Sequence, residues 1–530
     1  MSLREIHPPR PYRQIVPFSG IDLQQLLHLK KSHNLDIEGI GDNCFRQLDY
    51  IQAYLKNADI GCQSVLIEHP YMDRDYMEDH SVFYSRNLRP YANWCKRLHF
   101  FSLPVKQLQK RLEDLLMHPE SGGEEKRKQY LSRCEQFSTE AYLGFTTVRP
   151  LSGCPVGRTV LRPYNRVAGD ATTRLFPCTR EYTVHVLGIS LVVNGLAFQQ
   201  QDLGVSACAT TALWSSLQMV KSHEEIATAT PAQITNLASR YTLPFGRPMP
   251  SEGLSIEQMC LAVQAIGMSP SLVKAEDPQS TLGGIYAATL SGFAPVLILQ
   301  DEATSPTYHA VTVAGVKLKP TIPSNFQIGA PGSLVSEKAA RCKAIYIHDD
   351  RHGPYLRADL NAGASKLQLR IDPERNNKSA EMWTVTHMLV PVHPKIRLSF
   401  SGLRNISIAL CLDINAFGLS AKKPPASADR KVTVDYRINK NFKYVEEITI
   451  GDEAINLKKL RQFHDKLILP RYLGIINLKA NFFGEIDVLV DTTSTLSNLN
   501  FVGIISRGPG LRHDTLVKHL SHLCQCAFVL

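Results

Sequence analysis

Apolar and polar positions along the chain change period several times, and the changes mark out its elements. Apolar residues recur at helical spacing over 21–32, 44–57 and 105–135, and short strand-like runs follow in YLGFTTVRPL (142–151) and GRTVLRPY (157–164). EYTVHVLGISLVV, from Glu181 to Val193, predicts a strand. In QQQDLGVSACATTALWSSLQMV, residues 199–220, Ala209, Ala212, Leu213, Leu217 and Val220 fall on one helical stripe, with Ser206 as the predicted N-cap. Ser255 and Gln258 form a capping-box pair for a helix whose stripe is Ile256, Met259, Cys260, Val263 and Ile266, and Gly267 ends it. Three strands follow, APVLIL, YHAVTVAGV and AIYIHDD. Beyond about 395 strands and helices alternate, with AKKPPASADRK (421–431) as an exposed loop and the strand pair YLGIINLK and EIDVLVDTT near the end.

A helix-first layer followed by consecutive strands predicts an α+β fold rather than a parallel βαβ repeat. The expected division is a mixed α/β N-terminal domain over 1–180, a central domain over 181–395 and a C-terminal α/β domain over 396–530. The N-terminal domain has no role legible in its residues, and the C-terminal one is expected to regulate or to recognise substrate, which allows a regulatory protein partner. A chain of 530 residues exceeds one ordinary core, in keeping with several domains.

Composition narrows the class. With 44% hydrophobic and 20% charged residues, and no apolar run near the roughly 20 needed to span a bilayer, the chain reads as soluble and globular without membrane association. The start, MSLREIHPPRPYRQIVPF, lacks the apolar core of a secretory signal, so a cytoplasmic location is expected. Twelve cysteines without a regular framework then imply reduced thiols. The formal charge of +10 comes from 59 basic and 49 acidic residues with no long basic block, which argues against a nucleic-acid track. The clusters DRDYMEDH (73–80) and WCKRLHFF (94–101) read as salt-bridged packing more readily than as a recognition surface.

The chemistry centres on Cys208. At the start of its helix it meets unpaired backbone N–H groups and the positive end of the helix dipole, which stabilise the nucleophilic thiolate. In YHAVTVAGV, His309 shares a strand face with Val311 and Val313, and in AIYIHDD, Asp349 shares one with Ile345 and Ile347. His309 can then take the thiol proton, Asp349 can orient and charge-balance the imidazole, and Cys208 can attack. Asp350 and His348 are the near alternatives, ranked lower because a regular strand points them to the opposite face. A glutamine upstream can donate its NH2 to an oxyanion; Gln201 is favoured and Gln200 competes with it.

Taken in order, the glutamine ahead of Cys208, the HAVTV strand with His309 and the HDD strand end with Asp349 resemble the papain-like cysteine peptidases. The closest likeness is to the bacteriocin-processing, double-glycine leader branch, over about residues 195–355. GLSIEQMCLAVQAIGM and GFAPVLIL look like that branch's helix and strand. The resemblance implies a nucleophile-bearing helix packed on an antiparallel sheet, and cleavage of a peptide or protein through a thioester. Three positions depart from the pattern: Ala209 stands for the usual glycine, Asp350 for the usual proline, and Gln201 lies one residue further from Cys208 than is usual. Acyl transfer, amide hydrolysis and isopeptide cleavage use the same triad, and a catalytically inactive scaffold binding protein or nucleic acid is the non-enzymatic reading. The C-terminal His513, His519, His522, Cys524 and Cys526 lack zinc-ligand spacing, and no Walker loop, dinucleotide glycine pattern or H-E-x-x-H occurs. Neither metal nor cofactor is expected.

Overall fold

The computed structural model describes residues 10–19, 23, 46–88, 90–117, 123–151, 153–164, 171–202, 204–205, 207–224, 228–240, 253–322, 335–373, 380–420, 431–450, 457–494, 501–507 and 513–529. The predicted helix over 21–32 lies almost wholly outside them, and so does Ser206. Strands β1 (Tyr12–Pro17), β2 (Ser64–Tyr71), β3 (Cys95–Phe101), β4 (Tyr142–Val148) and β5 (Val156–Leu161) form an antiparallel sheet in chain order. Helices α1 (Arg46–Lys56), α2 (Arg74–Val82), α3 (Val105–Leu116) and α4 (Gly123–Ala141) connect its strands. The apolar period over 105–135 is thus divided between two helices, and the intervening HPESG carries the breakers Pro119 and Gly122.

After β6 (Thr173–Leu175), the run expected as one strand is a hairpin, β7 (Arg180–Val186) and β8 (Ile189–Gly195). Leu187 and Gly188 turn it with φ of 54° and 82°; two left-handed central residues match the twist of the flanking strands. The helix α5 (Cys208–Glu224) follows, then α6 (Pro231–Ala238) and α7 (Ile256–Ala265). In α7 the capping box forms as the spacing predicts: Ser255 Oγ accepts from Gln258 N, and Gln258 Oε1 accepts from Ser255 N.

The middle of the chain builds a closed antiparallel barrel. It runs β10 (Val296–Gln300), β11 (Tyr308–Leu318), β13 (Cys342–Asp349), β14 (Gly353–Asn361), β15 (Gln368–Ile371) and β16 (Glu381–Val392), and β16 pairs back onto β10. β9 (Ser269–Lys274) adds to β16, and β6 adds to β11. Closure removes the exposed edges an open sheet would leave. A second sheet, in the order β12 (Val335–Glu337), β17 (Val432–Lys440), β18 (Tyr472–Ala480), β19 (Gly484–Asp491), β20 (Phe501–Ser506) and β21 (Ala527–Val529), occupies the C-terminal part. Because β12 comes from the middle region, the C-terminal sheet crosses the boundary expected near 395.

Two faces of the barrel wall are separated by strand alternation. Val311, Val313, Ile345 and Ile347 face a core shared with the C-terminal sheet, including Val434, Ile476 and Val488. Ala310, with Val296 and Ile298, instead packs against α5, in a cluster that also takes in Tyr182 and Val184 of β7 and, further out, Phe101, Tyr142 and Phe145 of the N-terminal sheet. Within it α5 is buried at every position from Ala209 to Val220, not only along the predicted stripe. The fold is therefore mixed α and β, with several sheets. Among the described residues no helix is long and apolar enough to cross a membrane.

Candidate active site

The approach to Cys208 is held from the N-terminal sheet. Arg149, at the end of β4, is buried with its guanidinium 3.4 Å from Asp202 and hydrogen-bonded to the carbonyls of Cys154 and Gln200 at 2.8 and 3.0 Å. Asp202 Oδ1 accepts from the N–H groups of Gly204 and Val205, folding the loop into an Asx turn. Gly204 is required here by close approach, since a Cβ would collide with the Phe83 ring at the end of α2. The Ala207 carbonyl accepts the first helical hydrogen bond, from Thr211 N, which puts half-buried Cys208 at the first helical position. Its backbone N–H is thus among those without an intrahelical acceptor.

His309 stands at the entrance of β11, 5% exposed, with its ring 5.8 Å from that of Trp383. Nε2 meets Asp349 Oδ1 at 3.0 Å, which leaves Nδ1 as the ring nitrogen that can serve a thiol. The Cys208 side chain is among the groups that favour the charged imidazole. Asp349 is fully buried and its Oδ1 also accepts from Arg351 N at 2.9 Å. Arg351 bridges Asp349, at 3.6 Å, to Glu381, at 3.0 Å, and Glu381 accepts from Trp383 Nε1 at 2.9 Å. From α1, Gln47 Nε2 donates to the carbonyls of Asp350 and Arg351, so the N-terminal region also grips the turn that carries the carboxylate.

The charges follow from this packing. Burial pushes His309 toward its neutral form, but the charge and hydrogen bond of Asp349, helped by Cys208 and Asp350, outweigh it and raise its pKa to about 10. Burial would raise Asp349, yet the imidazolium and Arg351 hold it well below the usual carboxylate range. His348 does point to the opposite face, where Nδ1 meets Ser215 Oγ at 3.3 Å and burial drives its pKa down to about 3.

Asp350 departs from the expectation of a regular strand. Pairing between β13 and β14 slips between Ile347 and Asp349, Asp350 starts the turn, and its carboxylate comes within 3.6 Å of His309 Nε2. It is 4% exposed and neither oxygen has a hydrogen bond; burial and the neighbouring Asp349 push its pKa up to about 6 against the pull of His309.

The glutamines separate by their bonds. Gln200 is tied into the sheet, since its N and Oε1 meet Val156 O and N at 3.1 Å. Gln201 is half-buried and its side chain has no hydrogen bond among the described residues, which leaves its NH2 available. Gln199 is buried with its Nε2 unpartnered.

Sequence reasoning missed Arg149, Arg351, Glu381, Trp383 and Gln47; the contacts that draw them together, such as Arg149 to Gln200, Gln47 to Asp350 and Arg351 to Glu381, span long separations and leave no local pattern. In DRDYMEDH, Asp73 caps α2, Asp75 meets Arg158 at 2.8 Å and Asp79 is fully buried, so the cluster is interior packing. In the C-terminal stretch His519 pairs with Asp413 at 2.7 Å, and the side chain of His513 lies outside the described residues. Compared with known proteins, the chain matches no protein-family model and no curated protein.

Proposed function

We propose that this chain is a papain-like cysteine peptidase that cleaves a peptide or protein substrate through a thioester acyl-enzyme. Cys208 is the nucleophile, His309 the proton carrier and Asp349 its orienter. The observation that carries the reading is a thiol at a helix N-terminus beside an imidazole whose far nitrogen is held 3.0 Å from a buried carboxylate. A charged His309 stabilises the Cys208 thiolate, which adds to the substrate carbonyl. The resulting oxyanion accepts from the Cys208 N–H and from the Gln201 NH2. His309 then gives its proton to the departing amine, and the neutral ring draws a proton from the water that hydrolyses the thioester. Every cysteine among the described residues is free, which supports a reducing setting where the thiol stays usable.

An iodoacetamide-type or peptide-aldehyde probe tests the proposal. Wild-type protein labels at Cys208 much faster than at its buried thiols, and Cys208→Ala loses that fast phase. Equal labelling of the two proteins rules the proposal out.

A further inference from the structure

We propose that His309, Asp349 and Asp350 form a binding site for a divalent zinc-class cation, and that its occupancy switches the peptidase site off. The second half of this statement rests on the peptidase reading; the first does not. The three side chains are 5%, 0% and 4% exposed, and their ligand atoms all lie within 4.8 Å of one another. Neither oxygen of Asp350 has a hydrogen bond, and Oδ2 of Asp349 has only the Arg351 guanidinium at 3.6 Å, so the buried Asp350 carboxylate lies beside the imidazole without a hydrogen-bond donor to satisfy it. Two buried acids and one base are an expensive arrangement unless protons or a cation fill it.

The geometry selects the class of ion. Zinc bonds of ~2.0–2.1 Å to nitrogen and oxygen in a tetrahedron place neighbouring ligand atoms roughly 3.3–3.4 Å apart. Two of the three edges, Nε2 to Asp349 at 3.0 Å and Nε2 to Asp350 at 3.6 Å, bracket that length, and the two carboxylates lie within 4.8 Å of each other. One imidazole and two carboxylates fill three positions and leave a fourth for water. Calcium and magnesium want six or more oxygen ligands, and an imidazole among so few favours a transition metal instead. Two carboxylates match the 2+ charge.

Binding costs the site its base. The cation takes the Nε2 lone pair and the Nε2 proton leaves to solvent. Nδ1 keeps its proton and has no lone pair with which to accept another. Cys208 is not among the side chains whose ligand atoms converge here, which are those of His309, Asp349 and Asp350.

That last point separates this site from ordinary thiol–zinc binding. In the full-length Cys208→Ala protein at neutral pH, calorimetric titration with Zn2+ should give one site, and adding Asp350→Asn should weaken it by about tenfold or more. With Co2+, wild-type protein and Cys208→Ala should show the same visible bands, with no thiolate-to-cobalt charge transfer. Absence of a site in Cys208→Ala, equal affinity after Asp350→Asn, or a charge-transfer band in the wild type overturns the proposal. The cobalt spectra keep the test sharp if Asp350→Asn folds poorly. Zn2+ should also slow Cys208 labelling in the wild type, reversibly with a chelator. If the protein proves to be no peptidase, the Cys208→Ala titration is unaffected; if Zn2+ does not bind, the labelling comparison under Proposed function still stands.

Discussion

Asp349→Asn changes one charge at nearly constant volume, and the structure sets the size of its effect. Raising His309 from 6.5 to about 10 while burial pulls the other way is worth about 5 kcal/mol of imidazolium stabilisation, at ~1.4 kcal/mol per pH unit. Asp349 is its foremost source. Without that charge burial dominates, and His309 should titrate below 6.5 and stand neutral at pH 7. Loss of the imidazolium partner should slow Cys208 alkylation at pH 6–7 by about 10²–10⁴-fold, read from iodoacetamide rates between pH 5 and 9. Breaking the buried pair should also cost about 3–5 kcal/mol in urea unfolding. The sign of its pH dependence is fixed. The His309 part is fully present below 6.5 and fades as pH rises through about 10, while the Asp349 part is present above 3.8 and fades as pH falls toward its lowered folded value. The stability gap between wild type and variant should be widest between 3.8 and 6.5 and narrow above that. An unchanged alkylation profile, or a gap that stays flat to pH 10, refutes the reasoning.

Other perturbations report on the surroundings. Gln201→Ala should lower turnover by about 10²–10³-fold with little change in stability; Gln200→Ala should instead cost about 1–3 kcal/mol, because Val156 N loses its acceptor. If Gln200→Ala removes turnover and Gln201→Ala does not, the oxyanion assignment is off by one residue. Arg149→Met leaves the buried Asp202 side chain without its guanidinium partner, and thermal or urea unfolding should show a loss of about 3–5 kcal/mol. Asp79 is fully buried with no hydrogen bond to its carboxylate, and burial raises its pKa well above 3.8. It therefore costs stability increasingly as pH rises above 3.8, so Asp79→Asn should be more stable than wild type at pH 7, with the advantage vanishing at low pH. A variant less stable at pH 7 contradicts this.

What could be read from sequence was local. The Ser255–Gln258 cap depends on neighbours three residues apart, and the alternation along β11 and β13 follows from a period of two. Val311 and Ile347 therefore face one core while Ala310 faces the α5 helix. Where the backbone leaves a regular period the reading fails: Leu187 and Gly188 reverse a run that reads as one strand, and the slip after Ile347 brings Asp350 to the ring it was expected to face away from. Long-range pairing left no trace either. Closure of the barrel joins β10 to β16, about 90 residues later in the chain, and the grip of Arg149 and Gln47 on the two sides of the site comes from an N-terminal region whose own pattern says nothing of Cys208.

The central claim is that Cys208 cuts peptide bonds. Cells expressing wild type or Cys208→Ala at equal levels, compared by proteome-wide mapping of peptide termini, test it most directly. Wild-type cells should show a set of new termini that is absent with Cys208→Ala. Identical termini in both would contradict it and shift the site toward non-proteolytic acyl transfer or a binding scaffold.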